Sequence, residues 1–173
     1  MNASRAHLTI AFAIDFESPG ERLTRKVAGR RYQPVSLDQP ASTAAVMVYH
    51  SIKNHNASVI NIAGHSLPTL EKFGWNQEKI NSYLYEIFKS VLSEIQIDQI
   101  ISGGQTGVDI AGVVVAEALG IDAVATLPRG YLQRVGTRDV YSDPDSIYGQ
   151  VKAWSQSLLE FDKDTSQLSI SSS

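Results

Sequence analysis

Five turn-rich segments hold the residues best suited to chemistry. The richest is Ser102-Gly103-Gly104-Gln105-Thr106-Gly107-Val108-Asp109, which follows the apolar run Gln99 to Ser102 and precedes a very apolar helical stretch, Asp109 to Leu119. Glycines between a strand and a helix let backbone N–H groups approach a ligand, and the helix N-terminus adds partial positive charge. With Ser, Gln and Thr donors beside them, the spacing reads as a cradle for an anion. It is neither a Walker A loop nor the dinucleotide GxGxxG, because no Lys-Ser/Thr follows and the glycine spacing differs. Asp109 can accept a sugar hydroxyl, or simply complement the helix dipole.

The second segment, Ser18-Pro19-Gly20-Glu21-Arg22-Leu23-Thr24, has the cap, first-turn Pro and Glu of a helix start. It serves as a second anion site or only as a well-capped helix. Arg22, Arg25, Lys26, Arg30 and Arg31 lend positive charge or form a solvated face. The third, Pro128-Arg129-Gly130-Tyr131, offers a guanidinium for phosphate and a ring for stacking. Gly64-His65 is the fourth, with His65 as a ligand contact or a satisfied loop histidine. The fifth is a polar stretch, Tyr131 to Asp145, carrying Arg134 and Arg138, read as a long loop that serves as a lid or is merely flexible.

These segments need elements to hold them. Leu8 to Phe16, Gln33 to Leu37, Ser58 to Ala63, Gln99 to Ser102 and Asp122 to Leu127 read as short apolar strands. Helices are expected from Pro19 to a stop at Gly29, over Ala41–His55, over 77–95 behind an Asn76 cap, over Asp109–Leu119, and over Ser146–Phe161. Such alternation predicts an α/β fold: a three-layer, Rossmann-like, doubly wound parallel sheet of about five strands. Ligands in such sheets bind outside the carboxyl ends of the strands, where all five segments fall.

Composition narrows the field further. The chain has 173 residues, enough for one domain, expected over 8–164 with a flexible 1–7 start and a Ser-rich, disordered 165–173 tail. It has no Cys, which excludes disulfide scaffolds, thiolate metal sites and cysteine nucleophiles. His50 and His55 stand off a shared helical face, and no GxSxG elbow occurs. With 15 basic and 18 acidic residues the net charge is −3, which speaks against a dedicated nucleic-acid binder. The absence of a long apolar run or a signal-like start predicts a soluble, cytoplasmic protein. A homodimer or higher homo-oligomer through the 77–95 helix is a further expectation.

The stretch from Ile100 to Tyr131 resembles the molybdenum-cofactor carrier proteins of the SLOG superfamily, whose signature is similar to SGGQTGVD and is followed by a Pro-Lys-Gly turn. Here that turn is Pro128-Arg129-Gly130. Ser18 to Ala28 resembles the family's later SGGTxLTxxxA loop, and Asn61-Ile62-Ala63-Gly64-His65 its Asn-x-Ala-Gly-Pro turn, yet both precede the first motif. The resemblance therefore implies a circular permutation, with the 77–95 helix joining the old ends. It also implies a bound nucleotide or molybdopterin-type ligand and no other cofactor.

The superfamily includes phosphoribohydrolases with a signature similar to PGGxGTxxE. Laid on Pro19, that signature retains Gly20 and Thr24 but places Val27 where the catalytic Glu belongs; Glu21 and Glu117 are the available substitutes. A Val cannot handle a proton. The expectation is a protein that carries, senses or sequesters a small phosphate-containing ligand, a nucleotide or ADP-ribose-like molecule, without turning it over. The alternatives are a molybdenum-cofactor carrier and a nucleotide N-glycosidase.

Overall fold

A computed structural model describes residues 2–127, 129–135 and 138–170; of Arg129, Val135 and residues 166–170 it describes only the backbone. The chain forms a five-stranded parallel sheet with strand order β2-β1-β3-β4-β5. The strands are β1 (Leu8–Ala13), β2 (Tyr32–Ser36), β3 (Val59–Gly64), β4 (Gln99–Gly103) and β5 (Asp122–Thr126). Between them run α1 (Pro19–Ala28), α2 (Ala41–His55), the single turn α3 (Leu67–Leu70), α4 (Gln77–Leu92) and α5 (Val108–Leu119). The long α6 (Pro144–Ile170) follows. Among the described residues no helix is long and apolar enough to cross a membrane.

Local chemistry sets these boundaries. Ser18 caps α1, its Oγ accepting from Glu21 N at 3.4 Å, and Asn76 caps α4, its Oδ1 accepting from Lys79 N at 2.8 Å. The sequence places β1 and its neighbours within a few residues of where they lie. β1 ends at Ala13 rather than Phe16, because pairing with β2 stops at the Ala13–Ser36 register.

The chain passes from β1 outward to β2, then returns across β1 to β3 and proceeds one way to β5. Right-handed crossovers put α1 on one face of the sheet and the later helices on the other. The packing agrees: α2 lies against α4, α4 against α5, and α5 against α6, while α1 touches β1, β2 and the turn at Asn2–Ser4. Leu8, Ile10 and Phe12 point into the multi-helix face, where Phe12 meets Phe88 edge-on at 6.4 Å between ring centroids. Thr9 points to the α1 face and accepts a hydrogen bond from Asn61 Nδ2.

Three segments differ from the sequence reading. Tyr131 to Asp145 is not a bare loop: β6 (Leu132–Val135) and β7 (Arg138–Tyr141) pair as an antiparallel hairpin. Its strands are four residues long and half polar, so they lack the apolar run that identifies the others. The leading segment, expected to be flexible, packs onto the domain, with Ala3 and Ala6 buried. Helix α6 continues past Phe161, and the backbone is helical from Thr165 to Ile170.

Candidate functional site

The site begins where two strands part. β1 and β3 stay paired as far as Phe12–Gly64, and β4 and β5 as far as Gly103–Thr126. Between them, β3 and β4 pair only as far as Asn61–Ile101. Ser102 spans the gap, its Oγ lying 2.7 Å from both Ile62 O and Asp109 O. Beyond the splay lies a pocket of about 280 Å3, walled by Asn61, Ile62 and Ala63 of β3, Gly103 of β4, Thr24 of α1 and Asp109 of α5. It sits at the carboxyl ends of the strands, the end at which open α/β sheets bind ligands, one strand away from the reversal in strand order.

Asp109 dominates the pocket. Its carboxylate lies over Gly103, so that a Cβ at residue 103 would come within 2.2 Å of Oδ2. The protein encloses it except towards the pocket. Loss of water around it, and then the negative charge of Glu21, push its pKa up to about 7, against a hydrogen bond from the Gly64 backbone. Glu21 is buried on α1 and accepts from Tyr32 Oη at 3.1 Å. Its burial raises its pKa, while the Tyr32 hydrogen bond and the charge of His65 oppose the rise. His65, also buried, has Nε2 2.9 Å from Asp15 O, and its Nδ1 has no hydrogen-bond partner. Two carboxylates that hold protons unusually well, Asp109 in the pocket and Glu21 on α1, are therefore coupled through their charges, with His65 acting on Glu21.

The glycine loop is built differently from the expected cradle. Gly104 N donates to Thr126 O, Thr106 N to Gln105 Oε1, Gly107 N to Gln77 Oε1 at 2.7 Å, and Val108 N to His65 O. Four N–H groups of the loop are thus used inside the chain. Gly107 has φ +107°, and a Cβ there would fall 2.5 Å from His65 O, so glycine serves a tight passage against α3. The hairpin lies on the loop: Gln133 Nε2 donates to Gly104 O at 2.8 Å, Arg134 N to Gln105 Oε1 at 2.6 Å, and Thr106 Oγ1 to Arg134 O. Gln105 and Thr106, expected as ligand donors, dock the hairpin instead.

Of the other expected site residues, Thr24 and Asp109 line the pocket, and Gly64 and His65 stand beside it. Ser18, Pro19 and Gly20 form the start of α1, with Gly20 exposed and Arg22 in solvent. Thr24 Oγ1 donates to Gly20 O at 3.1 Å. Gly130 and the exposed Tyr131 belong to a 3-10 turn, Arg129–Tyr131, at the root of the hairpin and do not line the pocket. Pro128 lies outside the described residues, as does the side chain of Arg129. Arg134, on the hairpin, pairs with Asp139 at 2.9 Å. Of the two substitute carboxylates, Glu117 is bound to Lys152 at 2.5 Å near the far end of α5. Glu21 is the one coupled to the pocket.

Sequence reasoning missed Gln77, which clamps Gly107 through both ends of its amide, and Asn2, Ala3 and Thr126, which complete the pocket wall. Nothing in the sequence sets Gln77 apart from an ordinary first-turn polar residue; only the fold brings it to Gly107. Three hollows are larger: two, of about 480 and 560 Å3, flank Leu158 and Phe161 between α4 and α6, and one of about 550 Å3 lies between α3 and the hairpin, lined by Ser66, Lys72, Arg134 and Asp139 among others. No residue of the parallel sheet lines any of the three, so their size does not make them the better site. Among the described residues no group of three His, Asp or Glu is placed to hold a metal. Compared with family models, curated proteins and solved structures, the chain matches none.

Proposed function

We propose that this protein binds a small nucleotide-type ligand in the crevice under α1 and carries, senses or sequesters it. The observation that carries this reading is the pocket at the parted ends of β3 and β4, with Asp109 at its base and Thr24 of α1 above. Phosphate belongs outside that pocket, at the start of α1. There the helix end is positive, Gly20 leaves open space, and Arg22 stands one turn away. The resemblance of Ser18 to Ala28 and of Ser102 to Asp109 to the SLOG superfamily supports the same ligand class. In this proposal the glycine loop shapes the crevice and does not hold the phosphate itself.

The test is native mass spectrometry of protein freshly purified from cells, with extraction of any released small molecule. A thermal-shift panel of AMP, ADP and ADP-ribose accompanies it. A nucleotide recovered in stoichiometric amount, or a concentration-dependent stabilisation by one of the panel, is the expected result. Stabilisation by none of them, with no nucleotide recovered, refutes the proposal.

One observation favours a second reading, cleavage of the N-glycosidic bond of the same ligand. Asp109, pushed up to about 7, keeps a proton near neutral pH, and Glu21 supplies a second carboxylate. An acid that protonates a leaving base, beside a group that stabilises positive charge at the sugar carbon, is the pairing such cleavage needs. Chromatographic detection of free base decides between the readings. Turnover lost in Asp109→Asn while ligand binding persists identifies the enzyme; a ligand recovered intact identifies the binder.

A further inference from the structure

Ahead of β1 the chain crosses the face of the sheet that α1 covers. Asn2–Ser4 forms a 3-10 turn, and Ala3 and Ala6 are 3% and 1% exposed. Arg31 Nη1 donates to Ala6 O at 2.8 Å, and Thr126 Oγ1 at the end of β5 donates to Asn2 Oδ1 at 2.7 Å. The segment is therefore tied at the start of β1 and again at the far end of the sheet. Asn2 and Ala3 form one side of the 280 Å3 pocket, opposite Thr24 and Asp109. None of the described residues lining it is Lys or Arg, and its one charged side chain is Asp109.

We propose that this leading segment is a wall of the binding site, and that the inner pocket it closes takes an uncharged, hydroxyl-bearing part of the ligand, a furanose or similar polyol, and turns phosphate away. The proposal rests on the nucleotide reading above and says which part of the ligand goes inside. The Asp109 carboxyl exchanges hydrogen bonds with hydroxyl groups whether or not it holds its proton, and a pocket without cations gives an anion no counter-charge. An acidic side chain on a ribose hydroxyl is the general solution in sheets of this kind. Asn2 adds the opposite polarity: with its amide oxygen held by Thr126, its NH2 group is left to donate to a ring or hydroxyl oxygen. The pocket's volume lies just below the usual range for whole-ligand sites, about 300–1,000 Å3, so it suits one portion of a nucleotide. The remainder must project towards Gly20 and Arg22.

The proposal is tested with the full chain by titrating methyl β-D-ribofuranoside and, separately, inorganic phosphate into isotope-labelled protein and following backbone amide signals. The riboside is expected to shift Asn61, Ala63 and Gly103 saturably, and phosphate to leave them in place. Asn2→Ala and Thr126→Val each remove one partner of an exposed hydrogen bond without emptying the core. Each should weaken the riboside about fivefold, with circular dichroism and thermal midpoint retained.

Shifts of those amides by phosphate and not by the riboside overturn the proposal. So does unchanged riboside affinity in both variants, or no response to the riboside at all. A protein that binds AMP but not the riboside overturns this inference alone and leaves the nucleotide reading standing; one that binds neither overturns both.

Discussion

Replacing Asp109 by Asn removes a charge that the fold holds at a cost, so the variant should be more stable than the parent protein at neutral and alkaline pH. The carboxyl has an ordinary pKa of 3.8 and is pushed up to about 7 by burial and by Glu21. Below about pH 4 the native and unfolded states both keep the proton, and the group has no effect on stability. Between about pH 4 and pH 7 the unfolded chain releases the proton while the native protein retains it, so stability falls as pH rises. Above about pH 7 the native carboxyl must ionise too, and the penalty is complete. A tenfold change in proton affinity is worth about 1.4 kcal/mol, so the interval limits the penalty to about 4 kcal/mol. Because Asp109 opens onto a pocket, solvent recovers part of this, and about 2 kcal/mol is the expected gain. Asn keeps an oxygen to accept from the Gly64 backbone. Urea denaturation at about pH 4 and about pH 8 measures the difference. A gain near zero in acid that grows to about 2 kcal/mol in base supports the reasoning. A loss of stability at about pH 8, or the same effect at both values, refutes it. Glu21→Gln should remove part of the same penalty, since its charge is the second cause of the shift.

Two further predictions concern the parts that shape the crevice. Gln77→Ala deletes an amide that accepts from Gly107 N at 2.7 Å and donates to Gly107 O at 2.9 Å. Leaving the buried Gly107 N–H without a partner should lower urea stability by about 2–3 kcal/mol, with the m-value unchanged. Gln133→Ala breaks the bond from the hairpin to Gly104 O, and should raise amide hydrogen exchange across residues 132–141 about tenfold while α5 and β4 keep their protection.

The sequence makes most of the fold legible because each main element carries its own signal. Ser18-Pro19 and Asn76 open helices, Gly29 and Gly120 close them, and the apolar runs of β1, β3 and β4 are buried on both faces. The hairpin carries no such signal: its strands are short, and what holds it is Gln133 and the backbone of Arg134 meeting the glycine loop, contacts between positions 28 or 29 residues apart. The leading segment is illegible for a related reason, since the Asn2–Ser4 turn packs against α1 and β4, which follow it in the chain.

The candidate site was legible in place but not in role. Segment spacing locates Asp109, Thr24, Gly64 and His65 at one crevice. It cannot reveal that the N–H groups of Gly104, Thr106, Gly107 and Val108 are used internally, or that a side chain at Gly104 would strike Leu127 Cδ2 at 1.7 Å. Three glycines read as room for a ligand are, in the folded chain, largely room for α3, Asp109 and Leu127. The sequence offers Asp109 only as a sugar contact or a helix-dipole partner, because its coupling to Glu21 exists only once the chain has folded.

Calorimetric titration of AMP and ADP-ribose into the parent protein and into Thr24→Trp tests the central claim most directly. Thr24 lines the pocket from a half-buried position on α1, so an indole there should fill the crevice and leave the core in place. The account predicts saturable, one-to-one binding of at least one of the two nucleotides by the parent protein and its loss in Thr24→Trp. Binding by neither, or equal binding by both proteins, contradicts it.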